Sequence, residues 1–267
     1  MGFSLTDASK CTKCSICSAV CPIRILSIGE NGPFLIPERQ NHCLNCGQCE
    51  AYCPQNAVSV DFPAAKPFHI NSAEKISPEQ IGYHMANRRS IRKYSKNTVD
   101  KNVLEELMDI VRYAPTGSNA QHVGWIIVYD RQKINKILDT GLEWLHGKLG
   151  TEGFPIYLNT AVDAWKKGVD IICLDAPHLA VAYSPSTRLG PTDAAIAATY
   201  LELAAPAFGL GTCWGGLFMI LAAGCSELLE LLEVPEGNFV SAALMLGYPE
   251  ITSKRIPKRN NGNVKWL

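Results

Sequence analysis

The stretch Cys11-Thr-Lys-Cys14-Ser-Ile-Cys17-Ser-Ala-Val-Cys21-Pro22 places four cysteines at C-x2-C-x2-C-x3-C-P spacing. The same spacing returns at Cys43-Leu-Asn-Cys46-Gly-Gln-Cys49-Glu-Ala-Tyr-Cys53-Pro54, with each cysteine 32 positions after its counterpart. This is an internal duplication. Three thiolates on one tight loop can reach three irons of a cubane, while the fourth is carried away on the following turn. The doubled spacing therefore predicts two iron–sulfur sites.

Zinc is the alternative metal for C-x2-C pairs, because four cysteine thiolates also form tetrahedral zinc sites. A zinc ribbon uses two pairs separated by a long loop and needs neither the third cysteine nor the Cys-Pro step. The doubled spacing instead resembles bacterial 2[4Fe-4S] ferredoxins over residues 1–60, in which the fourth cysteine of each run ligates the other cluster. The resemblance implies one cluster on Cys11, Cys14, Cys17 and Cys53, and a second on Cys43, Cys46, Cys49 and Cys21.

Composition limits the remaining function classes. Lys+Arg and Asp+Glu are both 25, so we expect neither nucleic acid nor an anionic membrane surface as a partner. The longest apolar run, Gly216–Cys225, is too short to cross a bilayer, which takes about 20 residues. Eleven cysteines without a secretory segment after Met1 indicate metal or redox chemistry in a reducing compartment, so we expect a cytoplasmic protein.

Three regions are predicted along the chain. Residues 1–60 form the ferredoxin domain, closed by a strand over Ala57–Val60. Residues 61–76 contain two prolines and no apolar period, which is typical of a linker. Ser77-Pro78-Glu79-Gln80 is a helix start, with Ser as the N-cap, Pro at the first helical position and Gln three residues after the cap. The second domain is therefore predicted over 77–267.

The second domain alternates helical and strand patterns. After Asp100, Val103, Leu104, Leu107, Met108 and Val111 recur at helical spacing. Strand-length apolar runs are found at 125–129, 178–183 and 239–246, and an alanine-rich helix over Asp193–Phe208 ends at Gly209. Without a regular beta-alpha-beta order, these elements predict an α+β sheet covered by helices.

Four segments of this domain carry binding chemistry. Arg88-Arg89-Ser90-Ile91-Arg92 can chelate a phosphate through forked, charge-assisted hydrogen bonds, although a solvated basic helix end has the same composition. Ala114–Gln121 is a polar turn, and Gly209–Gly216 would let backbone N–H groups approach a flat ligand. Gly247-Tyr-Pro249 is followed by a second cationic cluster, Lys254-Arg255-Ile-Pro-Lys258-Arg259.

In this order the four segments resemble the nitroreductase family of FMN enzymes, from residue 77 to the end. The resemblance implies a homodimer with one FMN at each subunit interface. The first segment would hold the flavin phosphate and pyrimidine edge, the polar loop would reach the flavin of the other subunit, and the glycine-rich segment would lie beside the reactive N5 atom. The cofactor-binding residues so implied are Arg88, Arg89, Ser90, Arg92, Pro115, Thr116, Gly117, Asn119, Trp214, Gly215, Arg255 and Arg259. The fold class predicted for the whole chain is α+β, a small ferredoxin-like 2[4Fe-4S] domain followed by a nitroreductase-type FMN domain.

No side chain is predicted to act as a nucleophile or acid–base catalyst, because the flavin N5 carries the chemistry in this family. Cys173, Cys213 and Cys225 are expected to be small buried residues, and His178 a hydrogen-bonded core histidine. Gly209–Gly216 follows a helix and lacks the acidic residue of a Rossmann site, so a separate dinucleotide site is not expected. Residues 140–175 match no assigned segment and are expected to shape the substrate pocket.

The two halves together predict an oxidoreductase. Clusters move single electrons, whereas reducing a nitro group takes pairs, and FMN handles both. We therefore expect electrons to pass from reduced ferredoxin or NAD(P)H to FMN and on to a small electron-poor substrate of the nitroaromatic type. Two alternatives remain open: a reductase of quinones, enones or another metabolite, and an electron-transfer or redox-sensing flavoprotein with a protein partner.

Overall fold

The computed structural model describes residues 2–61, 75–150 and 158–267. These residues divide into two units. The first contains residues 1–75 together with 116–121, and the second contains 76–115 together with 122–267. The predicted linker, 61–76, lies almost entirely outside the described residues. None of the helices that the structure describes combines the length and the apolar character needed to cross a membrane.

The first unit is built from two short antiparallel strand pairs and two one-turn helices. Its elements are β1 (Phe3–Leu5), α1 (Ile16–Ala19), β2 (Leu26–Gly29), β3 (Gly32–Leu35), a 3-10 turn (Pro37–His42), α2 (Gln48–Ala51) and β4 (Val58–Val60). Strand β1 pairs antiparallel with β4, and β2 with β3. The predicted closing strand is therefore confirmed as β4.

The internal duplication extends to the backbone conformation. Three non-glycine residues of the first half have positive φ, namely Lys13 (55°), Ser15 (65°) and Arg24 (52°). Their counterparts 32 positions later also have positive φ: Asn45 (47°), Gly47 (70°) and Asn56 (49°). Such angles cost free energy in L-residues and persist only where the surroundings impose them. Both cysteine loops therefore have the same constrained shape.

The second unit is a four-stranded antiparallel sheet in the order β5-β6-β8-β7. Its elements are α3 (Pro78–Asn87), α4 (Lys101–Val111), β5 (Gly124–Val128), α5 (Arg131–Lys148), α6 (Asn159–Lys166), β6 (His178–Pro185), α7 (Gly190–Ala204), β7 (Gly211–Trp214), α8 (Gly216–Gly224), α9 (Ser226–Leu232) and β8 (Asn238–Gly247). The α+β class, the three predicted strands and the capping box of α3 are confirmed.

Two local predictions needed correction. The alanine-rich helix α7 ends at Ala204, and Ala205–Phe208 is a 3-10 turn that contains Pro206, which cannot donate to an α-helical hydrogen bond. Gly209 then stops the turn with φ of 71°, as expected. Gly211–Trp214, part of the glycine-rich segment predicted to approach a flat ligand, is an edge strand paired with β8.

Helices cover both faces of the sheet. Because side chains alternate along a strand, Ala180 and Ala182 of β6 face α4 and α7, whereas Leu179 and Val181 pack with α5 and α8. The described part of segment 140–175 lies on the face of the sheet that packs with α5 and α8, since Leu142, Leu145 and Val162 are buried in that part of the core. Its role in shaping a substrate pocket stays a prediction.

The arginine-rich segment is held between two parts of the sheet. Ile91 N donates to Thr212 O at 2.8 Å, and Ser95 N donates to Tyr248 O at 2.8 Å. A Cβ on Gly211 would lie 2.3 Å from Ile91 Cγ1. Glycine at 211 is therefore needed so that this segment can approach β7, rather than for the approach of a ligand.

We predict that Gly211→Ala lowers the free energy of unfolding by about 1–3 kcal/mol, because the added methyl group forces Ile91 away from β7. Chemical denaturation under anaerobic conditions measures this. Gly82→Ala in α3 is the matched control, since a Cβ there meets no atom within 4 Å. The control should be neutral or stabilising, and equal losses in both variants would contradict the packing argument.

His178 is the buried, hydrogen-bonded histidine that the sequence predicted. Its side chain is inaccessible to solvent, its Nδ1 lies 2.8 Å from Tyr129 O, and Val99 N donates to its Nε2 at 2.9 Å. The ring stacks on Tyr129 with a centroid distance of 4.6 Å. Burial lowers the pKa of His178, although the Tyr129 carbonyl opposes the shift. The neutral ring is therefore the folded form.

A histidine with a lowered folded-state pKa gives stability that is present above its unfolded pKa of about 6.5 and is lost as the pH falls below that value. We predict that this group contributes up to about 1.4 kcal/mol per pH unit to the slope of the free energy of unfolding against pH. His178→Gln should be less stable at pH 7.5 but show a flatter decline towards pH 5.5. Identical slopes in denaturation series of both proteins would contradict the assignment.

Candidate functional site

The first unit contains two cavities, each lined by four cysteines. Cys11, Cys14, Cys17 and Cys53 line one cavity. Cys21, Cys43, Cys46 and Cys49 line the other. The structure thus brings together the same two sets that the ferredoxin resemblance implies, with the fourth cysteine of each run at the cavity of the other.

The placement of the cysteines around each cavity bears on the choice between zinc and a cluster. Within residues 2–61, 75–150 and 158–267, no three His, Cys, Asp or Glu side chains converge closely enough to hold a single metal ion. A zinc ion needs four ligands about 2.3 Å from one centre. Four cysteines that line one cavity without converging on a single-ion site fit a multi-iron cluster instead.

The cavity walls also explain why iron is needed to ionise the buried thiols. Ile28 and Val58 line one cavity, and Ile23 and Leu26 line the other. Burial raises the pKa of Cys49 to about 11. Coordination to a metal cation deprotonates such a thiol outright. The apolar walls therefore disfavour the thiolate form of the two buried cysteines, Cys17 and Cys49, while bound iron would hold them as thiolates.

Crossed ligation has a direct test. Cys14→Ala and Cys53→Ala should remove the same cluster and leave about four of the expected eight irons, whereas Cys46→Ala should remove the other. Electron paramagnetic resonance of the remaining cluster should therefore match between Cys14→Ala and Cys53→Ala. Cys225→Ala, a buried thiol outside both sets, is the control. A Cys53→Ala spectrum that matches Cys46→Ala would show that each run holds its own cluster.

In the second unit, β7 and the arginine-rich segment form one polar site. Arg88 Nη1 donates to Glu202 Oε1 at 2.8 Å, and Trp214 Nε1 donates to Glu202 Oε2 at 3.2 Å. Glu202 is only 8% exposed. The sequence prediction missed this residue. Glu202 and Asp193 are the only charged residues of α7, and that exception to an apolar helix was the available signal.

The rest of the arginine-rich segment divides between this site and helix capping. Burial raises the pKa of Cys213, while the charge of Arg92 and a hydrogen bond with Ser90 oppose the shift, so these three side chains share one environment. Arg89 instead donates to the carbonyls of Ala86 and Asn87 at the end of α3. The solvated helix-end interpretation thus describes Arg89 better than its neighbours.

The arrangement fits an anionic ligand with a flat ring. Arg88, Ser90 and Arg92 supply cationic and hydroxyl donors, Trp214 is 39% exposed, and a Cβ on Gly216 would meet open space. The buried Tyr94 hydroxyl has no hydrogen-bond partner among the described residues. Burial raises its pKa, and Cys213 and Arg92 act on it electrostatically. Gly215 N is already bonded to Ala243 O at 2.7 Å, so this amide serves the sheet.

The structure places the remaining predicted residues elsewhere. Gly117–Asn119 forms a 3-10 turn within the first unit, where Asn119 Nδ2 donates to the carbonyls of Asn45 at 2.9 Å and Leu44 at 3.3 Å. Thr116 Oγ1 accepts from Gln121 N at 2.9 Å, and Pro115 ends the preceding part of the second unit. Arg255 and Arg259, like Lys258, are exposed on the C-terminal segment.

Comparison with known proteins assigns both parts of the chain. Residues 85–248 match the family described as the nitroreductase family, which is more than half of the sequence. Residues 10–58 match a 4Fe-4S dicluster domain.

The relatives that match this chain include two reductases. An FMN reductase [NAD(P)H] of Bacillus subtilis is 29% identical over 177 residues, covering 65% of this chain and 68% of that protein. A Cr(VI) reductase of a Pseudomonas species is 28% identical, covering 62% of this chain and 65% of that protein.

Solved structures support the fold. A nitroreductase with bound FMN from Bacteroides fragilis superposes with a TM-score of 0.61 at 19% identity, covering 70% of this chain and 98% of that one. A nitroreductase with bound FMN from Desulfitobacterium hafniense gives a TM-score of 0.59 at 19% identity, covering 72% of this chain and 100% of that one.

Proposed function

Because the chain belongs to the nitroreductase family and carries an N-terminal 4Fe-4S dicluster domain, we propose that it passes electrons from its clusters to FMN and on to a small electron-poor substrate. The observation that carries this proposal is the presence, in one chain, of two cysteine-lined cavities and the polar site on β7. Nitroaromatic compounds are the proposed substrate class. The names of the relatives support FMN chemistry, since one is an FMN reductase.

FMN supplies the redox chemistry when bound, because it accepts electrons singly and delivers them in pairs. The residues of the chain would bind and orient it. Arg88 and Arg92 offer forked donors to the phosphate, and the Ser90 hydroxyl adds a neutral donor. The partly exposed Trp214 indole, bonded to Glu202, would offer an aromatic surface of fixed orientation to the ring. No side chain is assigned an acid–base step.

A homodimer is the proposed assembly. Helix α3 has no buried residue and exposes Ile81, Tyr83 and Met85. The C-terminal segment exposes Val264 and Trp266, the latter to 91%. Exposed apolar side chains gathered on one helix are the kind of surface that a second subunit would cover. In such a dimer, as the family resemblance implies, the loop 115–119 of one copy would reach the FMN of the other.

The candidate electron donors are reduced ferredoxin and NAD(P)H. Two clusters favour a one-electron donor such as reduced ferredoxin, whereas the Bacillus relative is named for NAD(P)H. The Pseudomonas relative acts on Cr(VI), so small inorganic oxidants are a second substrate class. Thiolate ligands of this kind persist in reducing surroundings, which is the basis for placing the protein in the cytoplasm.

The proposal is tested by comparing donors under anaerobic conditions. We predict that reduced ferredoxin supports nitroaromatic reduction by the intact protein, and that Cys14→Ala/Cys46→Ala lowers this rate by an order of magnitude or more. The residual rate with NADH and NADPH measures any direct transfer to FMN. Cys225→Ala serves as the control and should retain the intact rate. Equal turnover by the intact and cluster-deficient proteins with every donor would refute the proposed electron path.

A further inference from the structure

A single carboxylate joins the two sequence segments of the polar site. Glu202 lies on α7, Arg88 follows α3, and Trp214 ends β7. Each carboxylate oxygen accepts from a different partner: Oε1 from Arg88 and Oε2 from Trp214. We propose that Glu202 is a positioning residue that fixes the Arg88 guanidinium and the Trp214 indole relative to each other before FMN binds. This inference rests on the proposed FMN site.

The burial of the carboxylate gives the arrangement its rigidity. The side chain of Glu202 is 10% exposed, and that of Arg88 is 23% exposed. A buried carboxylate that lost either donor would keep an unsatisfied charge, which costs more than an ordinary hydrogen bond. Both donors are therefore held. A guanidinium carries five N–H donors in a rigid fork, so Arg88 can bond Glu202 and still face an anion.

Two effects of Glu202 on FMN binding oppose each other. Its negative charge repels the flavin phosphate, whereas its hydrogen bonds hold Arg88 in one orientation. Arg88 is partly open to water, which screens the repulsion. An unrestrained Arg side chain, in contrast, must lose its rotamer freedom each time the ligand binds. We therefore expect positioning to dominate, so that loss of Glu202 weakens FMN binding.

The chemistry of glutamine makes Glu202→Gln a sharp probe. Arg88 and Trp214 are both donors, and an amide offers one acceptor oxygen together with an NH2 donor. One of the two contacts is therefore lost. Glu202→Asp keeps the charge but shortens the side chain by one methylene, so it loses reach without losing charge. A positioning role predicts that both variants bind FMN more weakly, and a pure charge role predicts tighter binding by Gln and no change with Asp.

The experiment is a fluorescence titration of FMN into flavin-stripped protein that retains its clusters. We expect Glu202→Gln to raise the Kd about tenfold in the native background and to change it less than twofold in an Arg88→Met background. Glu250→Gln is the matched control, because Glu250 pairs with Lys93 at 3.7 Å and its side chain is 51% exposed. Its Kd should equal that of the native protein.

A second readout does not depend on the ligand. The chain has five tryptophans, and the indole N–H resonance of Trp214 in the NMR spectrum can be assigned by its absence in Trp214→Phe. This resonance should move in Glu202→Asp or Glu202→Gln, while the resonances of the other four tryptophans stay fixed. An unchanged resonance, an unchanged or lower Kd, or equal effects of Glu202→Gln in both Arg88 backgrounds would overturn the positioning role. Absence of FMN binding by the native protein would instead overturn the FMN site itself, and this inference with it.

Discussion

The pairing of the arginine-rich segment with the edge strand β7 is the constraint on which the second unit's site depends. One backbone bond, from Ile91 N to Thr212 O, sets the register, and Gly211 leaves room for Ile91 beside the strand. Arginines that would otherwise be a solvated helix end are thereby held next to Trp214 and Cys213. Charge, hydroxyl and aromatic groups from distant parts of the sequence converge because the backbone pairs there.

The first unit obeys a different constraint, the repetition of one loop. Positive φ angles at matching positions shape both cysteine loops alike, and the fourth cysteine of each run reaches the cavity of the other. Because the first unit holds eight cysteine sulfurs around two apolar cavities, its hydrophobic core is small. The clusters themselves would then act as part of that core, which couples metal binding to folding.

The sequence predicted those features that local patterns determine. The capping box at Ser77, the strand around Val181 and the buried, hydrogen-bonded state of His178 follow from spacing, alternation and composition, and each is confirmed. Glu202 was missed because its hydrogen-bond partners are Trp214, 12 positions away, and Arg88, 114 positions away. No local sequence pattern shows that the three residues meet. Gly211 was assigned to ligand approach for the same reason, since the crowding side chain belongs to a distant segment.

The central claim, that clusters and flavin act as one electron store, is tested most directly by a single-turnover electron count. Fully reduced protein is mixed anaerobically with an excess of a nitroaromatic compound that is reduced slowly enough to follow. The reoxidation of the clusters and the flavin is then recorded together with the formation of product. Two one-electron clusters and one FMN predict about four electrons delivered per chain, with the clusters reoxidising at the rate of product formation. Delivery of about two electrons, with both clusters still reduced, would contradict the account.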